Sequence, residues 1–161
     1  DMGYNLIIEG TLRTSEVPLK TAELLRKRGY AVSLALMAVK PEVSLISCQI
    51  RYEEMRIVGT VPRATDPAHH NKIVHDIVGN LAVLEESGLF DEVFLYNRAR
   101  TCLFPCEGEG RTASEVLRET LFGDWTEEER RHKQALEIRL AQLRVQADAK
   151  EADARRRFFG R

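Results

Sequence analysis

No sign of charge dominates this chain. Its 161 residues carry 24 Lys and Arg against 25 Asp and Glu, a formal net charge of −1. A protein so balanced has no global basic field with which to hold nucleic acid or an anionic membrane non-specifically. Long apolar runs are missing too, since none approaches the roughly 18 residues that a membrane span requires. The opening DMGYNLIIEG lacks a basic n-region and a long apolar h-region, so no signal peptide is expected. Cysteine is scarce: three residues, an odd number in a chain too large to need staples. That usage fits a reducing cytoplasm better than a disulfide framework. Glycine-rich phosphate loops are also missing, because neither G-x-x-x-x-G-K-[ST] nor G-x-G-x-x-G occurs anywhere in the sequence. No internal repeat or low-complexity segment interrupts the chain.

What remains is ordinary globular composition, 43% hydrophobic and 30% charged, enough for a real core at this length. Tyr4 to Glu9 (YNLIIE) is a short, mainly apolar run ending in an acid, which predicts a strand covered on both faces. Ser15 is placed to cap a helix that turns Val17, Ala22, Leu24 and Leu25 inward and stops at Gly29. Ala31 to Val39 predicts a second buried strand, and Pro41 begins a helix running through Ile46, Ile50 and Met55. After a loop over 59–65, Thr65 or Asp66 caps a helix with Pro67 in its first turn. Ile73, Ile77, Leu81 and Leu84 form its inner stripe, and Gly88 ends it. Val93 to Tyr96 predicts a third strand. The pairs Thr112/Glu115 and Thr126/Glu129 read as capping boxes for two more helices. The second of these is long and charged, with a thin seam of Leu136, Leu140 and Leu143. Such a seam suits a surface helix laid on the domain, or a coiled-coil contact with a partner. RRRFFGR, at the far end, reads as a frayed tail or a basic binding patch.

Strand, helix, strand, helix, helix, strand predicts an α/β fold with a parallel sheet. Residues 1–125 are expected to form the main body and 126–161 a helical extension. Ligands of such sheets bind beyond the carboxyl ends of the strands, which nominates Glu9 and Thr11 after the first strand and Asn97 and Arg98 after the third. A carboxylate at position 9 can hold a sugar hydroxyl, orient a metal-bound water or act as a base, or simply cap the next helix. Arg13, Arg51 and Arg63 suit phosphate because the guanidinium is a planar, permanently charged fork. Arg63 lies in a Pro-containing loop able to act as a lid. Taken singly, each reads more readily as a solvated surface arginine, because most charged side chains are simply exposed. His69 and His70 are adjacent, His70 and His75 are not a face-sharing i, i+4 pair, and no Cys is near in sequence, so zinc ligation is weakly indicated. Cys102 and Cys106 have zinc-ribbon spacing without a second pair and read as loop cysteines. Neither Ser15 nor Ser47 lies in a nucleophile motif.

The ordered run of motifs carries more than any one of them. YNLIIEGTLRTSEVPLKTAELLRKRGY is followed by LALMAVKPEVSL, IRYEEM, PRATDPAHHNKIVHDIVGNL, SGLFDEVFLYNR and SEVLRETLFGDWTEEE. Across residues 4 to 135 this resembles the zeta toxins of epsilon/zeta and pneumococcal-type toxin–antitoxin systems, the last segment the pneumococcal type in particular. The resemblance implies a P-loop kinase sheet with flanking helices and a long C-terminal helix. It implies phosphorylation of UDP-N-acetylglucosamine on the 3′-hydroxyl with ATP and Mg2+, blocking cell-wall precursor synthesis. By motif, Glu9, Thr11, Arg13 and Thr21 would line the sugar-nucleotide pocket. Arg51 and Arg63 would contact ATP phosphates and steady the transferring phosphoryl group. No metal ligand is carried over.

The family's phosphate loop and catalytic aspartate lie upstream of the strand expected at Tyr4. The resemblance therefore implies that this chain corresponds to the C-terminal portion of a toxin. A small cognate antitoxin, and a second chain carrying the phosphate loop, are the partners it suggests. A non-catalytic binding module that keeps the sugar-nucleotide pocket is the competing expectation. A kinase of nucleosides is a weaker one, because one fold serves many substrates.

Overall fold

A computed structural model describes residues 3–105 and 110–159. The described residues fall into two compact units. One comprises those of Asp1–Ala38 and Lys72–Glu119, the other those of Val39–Asn71 and Thr120–Arg161.

The first unit holds the sheet. Strand β1 (Ser33–Met37) pairs in parallel with β2 (Glu92–Tyr96), from Ser33 opposite Glu92 to Met37 opposite Tyr96. A third strand, β3 (Cys102–Phe104), which the sequence does not announce, pairs antiparallel with β2. The order is β1-β2-β3, so the sheet is mixed rather than wholly parallel. Asn97 makes the hairpin between β2 and β3. Its backbone N–H donates to the Thr101 carbonyl (3.1 Å), and its Oδ1 accepts from Thr101 N–H (2.9 Å).

Helix α1 (Glu16–Lys27) ends as a Schellman motif. Gly29 adopts φ 84°, its N–H bonds Arg26 O and the next N–H, of Tyr30, bonds Leu25 O. Ser15 occupies the N-cap position, but its backbone is already right-handed helical and its side chain makes no capping bond. The expected Ser15 cap is therefore not formed.

Helix α3 (Pro67–Glu86) begins in the second unit and continues through the first. Asp66 caps it, accepting from Ala68 N–H at 3.0 Å. Val78, Leu81 and Leu84 lie on its buried face, the latter two wholly inaccessible. Helix α4 (Ala113–Phe122) follows, with Ala113, Val116, Leu117 and Leu121 buried.

The expected strand over Tyr4–Glu9 does not form: residues 3–14 adopt neither helix nor strand. A strand exists through its ladder, and no strand lies beside this run among the described residues. Its apolar side chains stay in solvent, Tyr4 63% and Ile7 94% exposed.

In the second unit, α2 (Pro41–Val58) packs along α5 (Glu127–Phe159). The buried Val43 and Ile50 of α2 and the buried Leu140 and Ala147 of α5 supply apolar contact. This supports the surface-helix reading of the long C-terminal element rather than a coiled coil with a partner. Around the apolar strip lies a polar frame. Arg56 is shared between Glu53 (2.5 Å), Asp148 (2.9 Å) and Glu151 (2.8 Å), Arg139 bonds Glu54 (2.5 Å), and Lys150 Nζ donates to the Ile57 carbonyl. The Asp148, Glu53 and Glu151 carboxylates together hold Arg56 still more firmly protonated than an ordinary arginine. The Thr126/Glu129 capping box forms as expected, with reciprocal bonds of 2.8 and 3.1 Å. Among the described residues no helix is long and apolar enough to cross a membrane.

Candidate functional site

The edge of β1 that no strand covers among the described residues borders a cavity. About 350 Å3 in volume, it is lined by the consecutive residues Ala31–Leu36, by α1 and by the irregular segment that includes Glu9, Gly10 and Leu12. Consecutive lining residues of a strand belong to both faces of its pleat, so the cavity runs along the strand's edge. Its wall is largely apolar, with Glu9 and Thr21 among the few polar groups. This is the usual make-up of a small-molecule site, an apolar wall carrying sparse orienting groups.

The four residues expected around a sugar nucleotide are not equally placed. Glu9 and Thr21 line the cavity, whereas Thr11 and Arg13 are exposed on the same segment and do not. Thr21 Oγ1 donates to the Val17 carbonyl at 2.8 Å, which leaves its lone pairs to accept from a ligand. The Glu9, Thr11 and Arg13 side chains have no hydrogen-bond or ion-pair partner among the described residues. Three polar groups in this one segment are therefore uncommitted.

Leu12 lies between Thr11 and Arg13 with φ 50°, in the left-handed region that a residue bearing a Cβ rarely adopts. Asn80 of α3 holds this bend. Its Nδ2 donates to Leu12 O at 3.0 Å and to Arg13 O at 3.1 Å. Sequence reasoning missed Asn80, and no local signal marks it, since its partners are 67 and 68 residues away in the chain.

The two arginines expected at phosphates both belong to the second unit. Arg51 is exposed on α2, where among the described residues only Cys48 Sγ approaches its guanidinium, at 3.9 Å. Arg63 is exposed in the segment between α2 and α3 and has no polar partner among the described residues. That segment leaves α2 at Gly59, whose φ of 83° turns the chain away. Both guanidinium forks are available to an anionic ligand.

Other candidates are structurally occupied. Asn97 Oδ1 is used in its own turn, while Arg98 beside it is exposed. His70 Nε2 lies 3.2 Å from Ser44 Oγ, with Asn71 Oδ1 3.4 Å from Nδ1, and His75 pairs with Asp76 (2.7 Å). Cys102 Sγ donates to the Phe104 carbonyl, and its expected companion Cys106 lies outside the described residues.

Comparison with known proteins decides the family. The model of the zeta toxin family matches residues 1–109. The chain belongs to the zeta toxin family. It is 47% identical over 141 residues to Toxin PezT of Streptococcus pneumoniae, a match covering 87% of this chain and 56% of that protein. It is 40% identical over 105 residues to Toxin zeta of Streptococcus pyogenes, covering 65% and 37% respectively. A solved structure from the PezAT chromosomal toxin–antitoxin system of S. pneumoniae superposes with a TM-score of 0.79 at 45% identity, covering 88% of this chain and 56% of that one. The α/β class, with its sheet, flanking helices and long final helix, is thus the fold of a P-loop kinase-type zeta toxin. The chain spans about half the length of the pneumococcal toxin and about a third of the S. pyogenes one.

Proposed function

We propose that this chain is the substrate-pocket and lid portion of a toxin kinase that phosphorylates UDP-N-acetylglucosamine on its 3′-hydroxyl. The observation that carries this reading is the uncommitted state of the nominated groups in a zeta toxin chain. Glu9 lines the cavity, Thr11 and Arg13 are exposed on the same segment, and Arg51 and Arg63 are held by no carboxylate among the described residues.

The chemistry follows from these groups. Glu9 and Thr21 accept hydrogen bonds from sugar hydroxyls in a mostly apolar cavity, which fixes the orientation of the ring. Arg13 and Thr11, on the same segment, suit the diphosphate of the sugar nucleotide. Mg-ATP, when bound, supplies the phosphoryl group and neutralises its charge. Arg51 and Arg63 present planar forks that match phosphate oxygens, the fit expected of groups holding ATP. Their part is to stabilise the negative charge spread over the transferring phosphoryl group as the bond to the β-phosphate oxygen breaks and the bond to the sugar oxygen forms. The free edge of β1 is where the strand that carries the phosphate loop would add, whether from upstream sequence or from a second chain, and a cognate antitoxin would restrain the complete kinase. Both proposed substrates, ATP and a nucleotide sugar, are cytoplasmic metabolites, which supports a cytoplasmic site of action.

The test is mass spectrometry of UDP-N-acetylglucosamine after incubation with Mg-ATP and the complementary phosphate-loop polypeptide. The expected product is heavier by one phosphate. Arg51→Ala and Arg63→Ala each cut its rate by about 10^3-fold, the scale of an arginine acting on a transferring phosphoryl group. Both residues are exposed, so the thermal midpoint stays near that of wild type. Unchanged rates in both variants would refute the assignment. A second reading is a non-catalytic module that retains the pocket, supported by the cavity along β1. Saturable sugar-nucleotide binding with no product under any complementation would select it.

A further inference from the structure

The bend of the cavity-facing segment at Leu12 and Arg13 is held by a side chain from another element. Residues 3–14 make no helix or strand, yet Leu12 keeps a left-handed backbone. Strained conformations of this kind persist only where the surroundings over-determine them. Here the determinant is Asn80, on the same turn of α3 as the buried Val78 and Leu81. Its two Nδ2 hydrogens go to two successive carbonyls, Leu12 O and Arg13 O. An amide turned the other way would set its oxygen against both carbonyls, so the partners fix its orientation. Holding both carbonyls fixes the peptide plane between residues 12 and 13. It thereby fixes the direction in which the chain presents Gly10 and Glu9 to the cavity on one side and Arg13 on the other.

We infer that Asn80 is a positioning residue, which sets the affinity of this unit for its sugar-nucleotide ligand by locking the Glu9–Arg13 bend onto α3. The ligand half of this inference rests on the reading given above; the locking half does not. Asn80 touches no ligand in this scheme and acts wholly through the two carbonyls.

Two measurements on the same variants separate the halves. Trypsin cleaves after Arg13, at the bond whose carbonyl Asn80 holds, so cleavage there reports the lock without any ligand. Cleavage after Arg28, beyond the end of α1, serves as the internal reference. In Asn80→Ala and in the isosteric Asn80→Asp, which cannot donate when ionised, cleavage after Arg13 should rise about tenfold relative to Arg28. Calorimetry with UDP-N-acetylglucosamine should show affinity weakened about tenfold or more in both variants, with the thermal midpoint of Asn80→Asp little changed. Unchanged cleavage after Arg13 in a folded variant overturns the inference. So does faster cleavage with unaltered affinity. If the wild-type chain binds no sugar nucleotide while the variants are cut faster, the substrate reading falls and the lock is established on its own.

Discussion

Helix α4 depends on a carboxylate from outside its own sequence, and removing that carboxylate has a calculable cost. The first N–H groups of a helix have no partner within it. In α4 three are satisfied by side chains. Thr112 Oγ1 accepts from Glu115 N–H (3.2 Å), while Glu85 of α3 takes Ala113 N–H on Oε1 (2.6 Å) and Ser114 N–H on Oε2 (2.9 Å). Ala113 is wholly buried and Ser114 is 9% exposed, so water replaces the carboxylate poorly. Each buried donor left without an acceptor costs about 1–3 kcal/mol. The charge of Glu85 at a helix N-terminus adds about 0.3–1 kcal/mol. Partial hydration of the exposed side brings the total for Glu85→Ala to about 2–4 kcal/mol. Glu85→Gln keeps one acceptor and should cost about half as much.

Urea denaturation of the two variants and wild type measures this directly. The midpoint should fall in the order wild type, Gln, Ala, with the slope unchanged, since the surface exposed on unfolding is the same. A loss below about 0.5 kcal/mol in Glu85→Ala, the range of an ordinary surface substitution, would show that the capping reading is wrong.

Three further outcomes are expected. Asp91 ties α1 to the sheet, accepting from Arg26 (2.8 Å) and from Val32 N–H (2.8 Å), and the Arg26 guanidinium, then the Val32 amide, hold its carboxyl below the usual range. A lowered native pKa gives stability that is present above the unfolded value of about 3.9 and lost as pH falls through the native one. Asp91→Asn should therefore be less stable than wild type at pH 7, with the gap in urea midpoint closing at the acid end; a constant gap would refute this. Arg56→Met leaves Glu53, which is 7% exposed, with only the longer Arg144 contact at 3.8 Å among the described residues, and releases Asp148 and Glu151. Tryptic cleavage after Lys150 of α5 should accelerate, and an unchanged cleavage pattern would show that the apolar strip alone holds the two helices. In wild type, raising NaCl from about 0.1 to 1 M should speed the same cleavage, because the exposed Asp148 and Glu151 pairs are screened.

Elements set by local chemistry were legible in the sequence. The Asp66 cap, both Thr/Glu capping boxes and the turn at Gly29 are where short-range pattern places them. Strands β1 and β2 fall within one or two residues of the apolar runs that predicted them. What failed depended on a partner. YNLIIE has the composition of a strand, but composition supplies no neighbour, and the ladder is absent. The third strand escaped because its hairpin turns through Arg100 at φ 64°, with no Gly-containing signal to mark it. Glu9, Thr11, Arg13 and Thr21 were nominated by motif, yet only structure distinguishes Glu9 and Thr21, which line the cavity, from the other two. Asn80 and Glu85 were invisible, because each acts on backbone groups far away in sequence.

Those two residues show how α3 organises its unit. They lie five positions apart, about 7.5 Å along the axis at 1.5 Å per residue. Between them Leu81 and Leu84 are wholly buried. The apolar side chains immobilise the helix, and its polar ones then act on backbone that lacks structure of its own: Asn80 on the bend at Leu12, Glu85 on the open end of α4. The two roles share a scaffold but no partner, so their effects should separate. Glu85→Ala should lower stability without altering cleavage after Arg13 under native conditions, and Asn80→Asp should do the reverse. Side chains this close on one helix couple only through the helix itself. If both variants move both readouts together, α3 is yielding as a body, and the division of labour assigned to it is wrong.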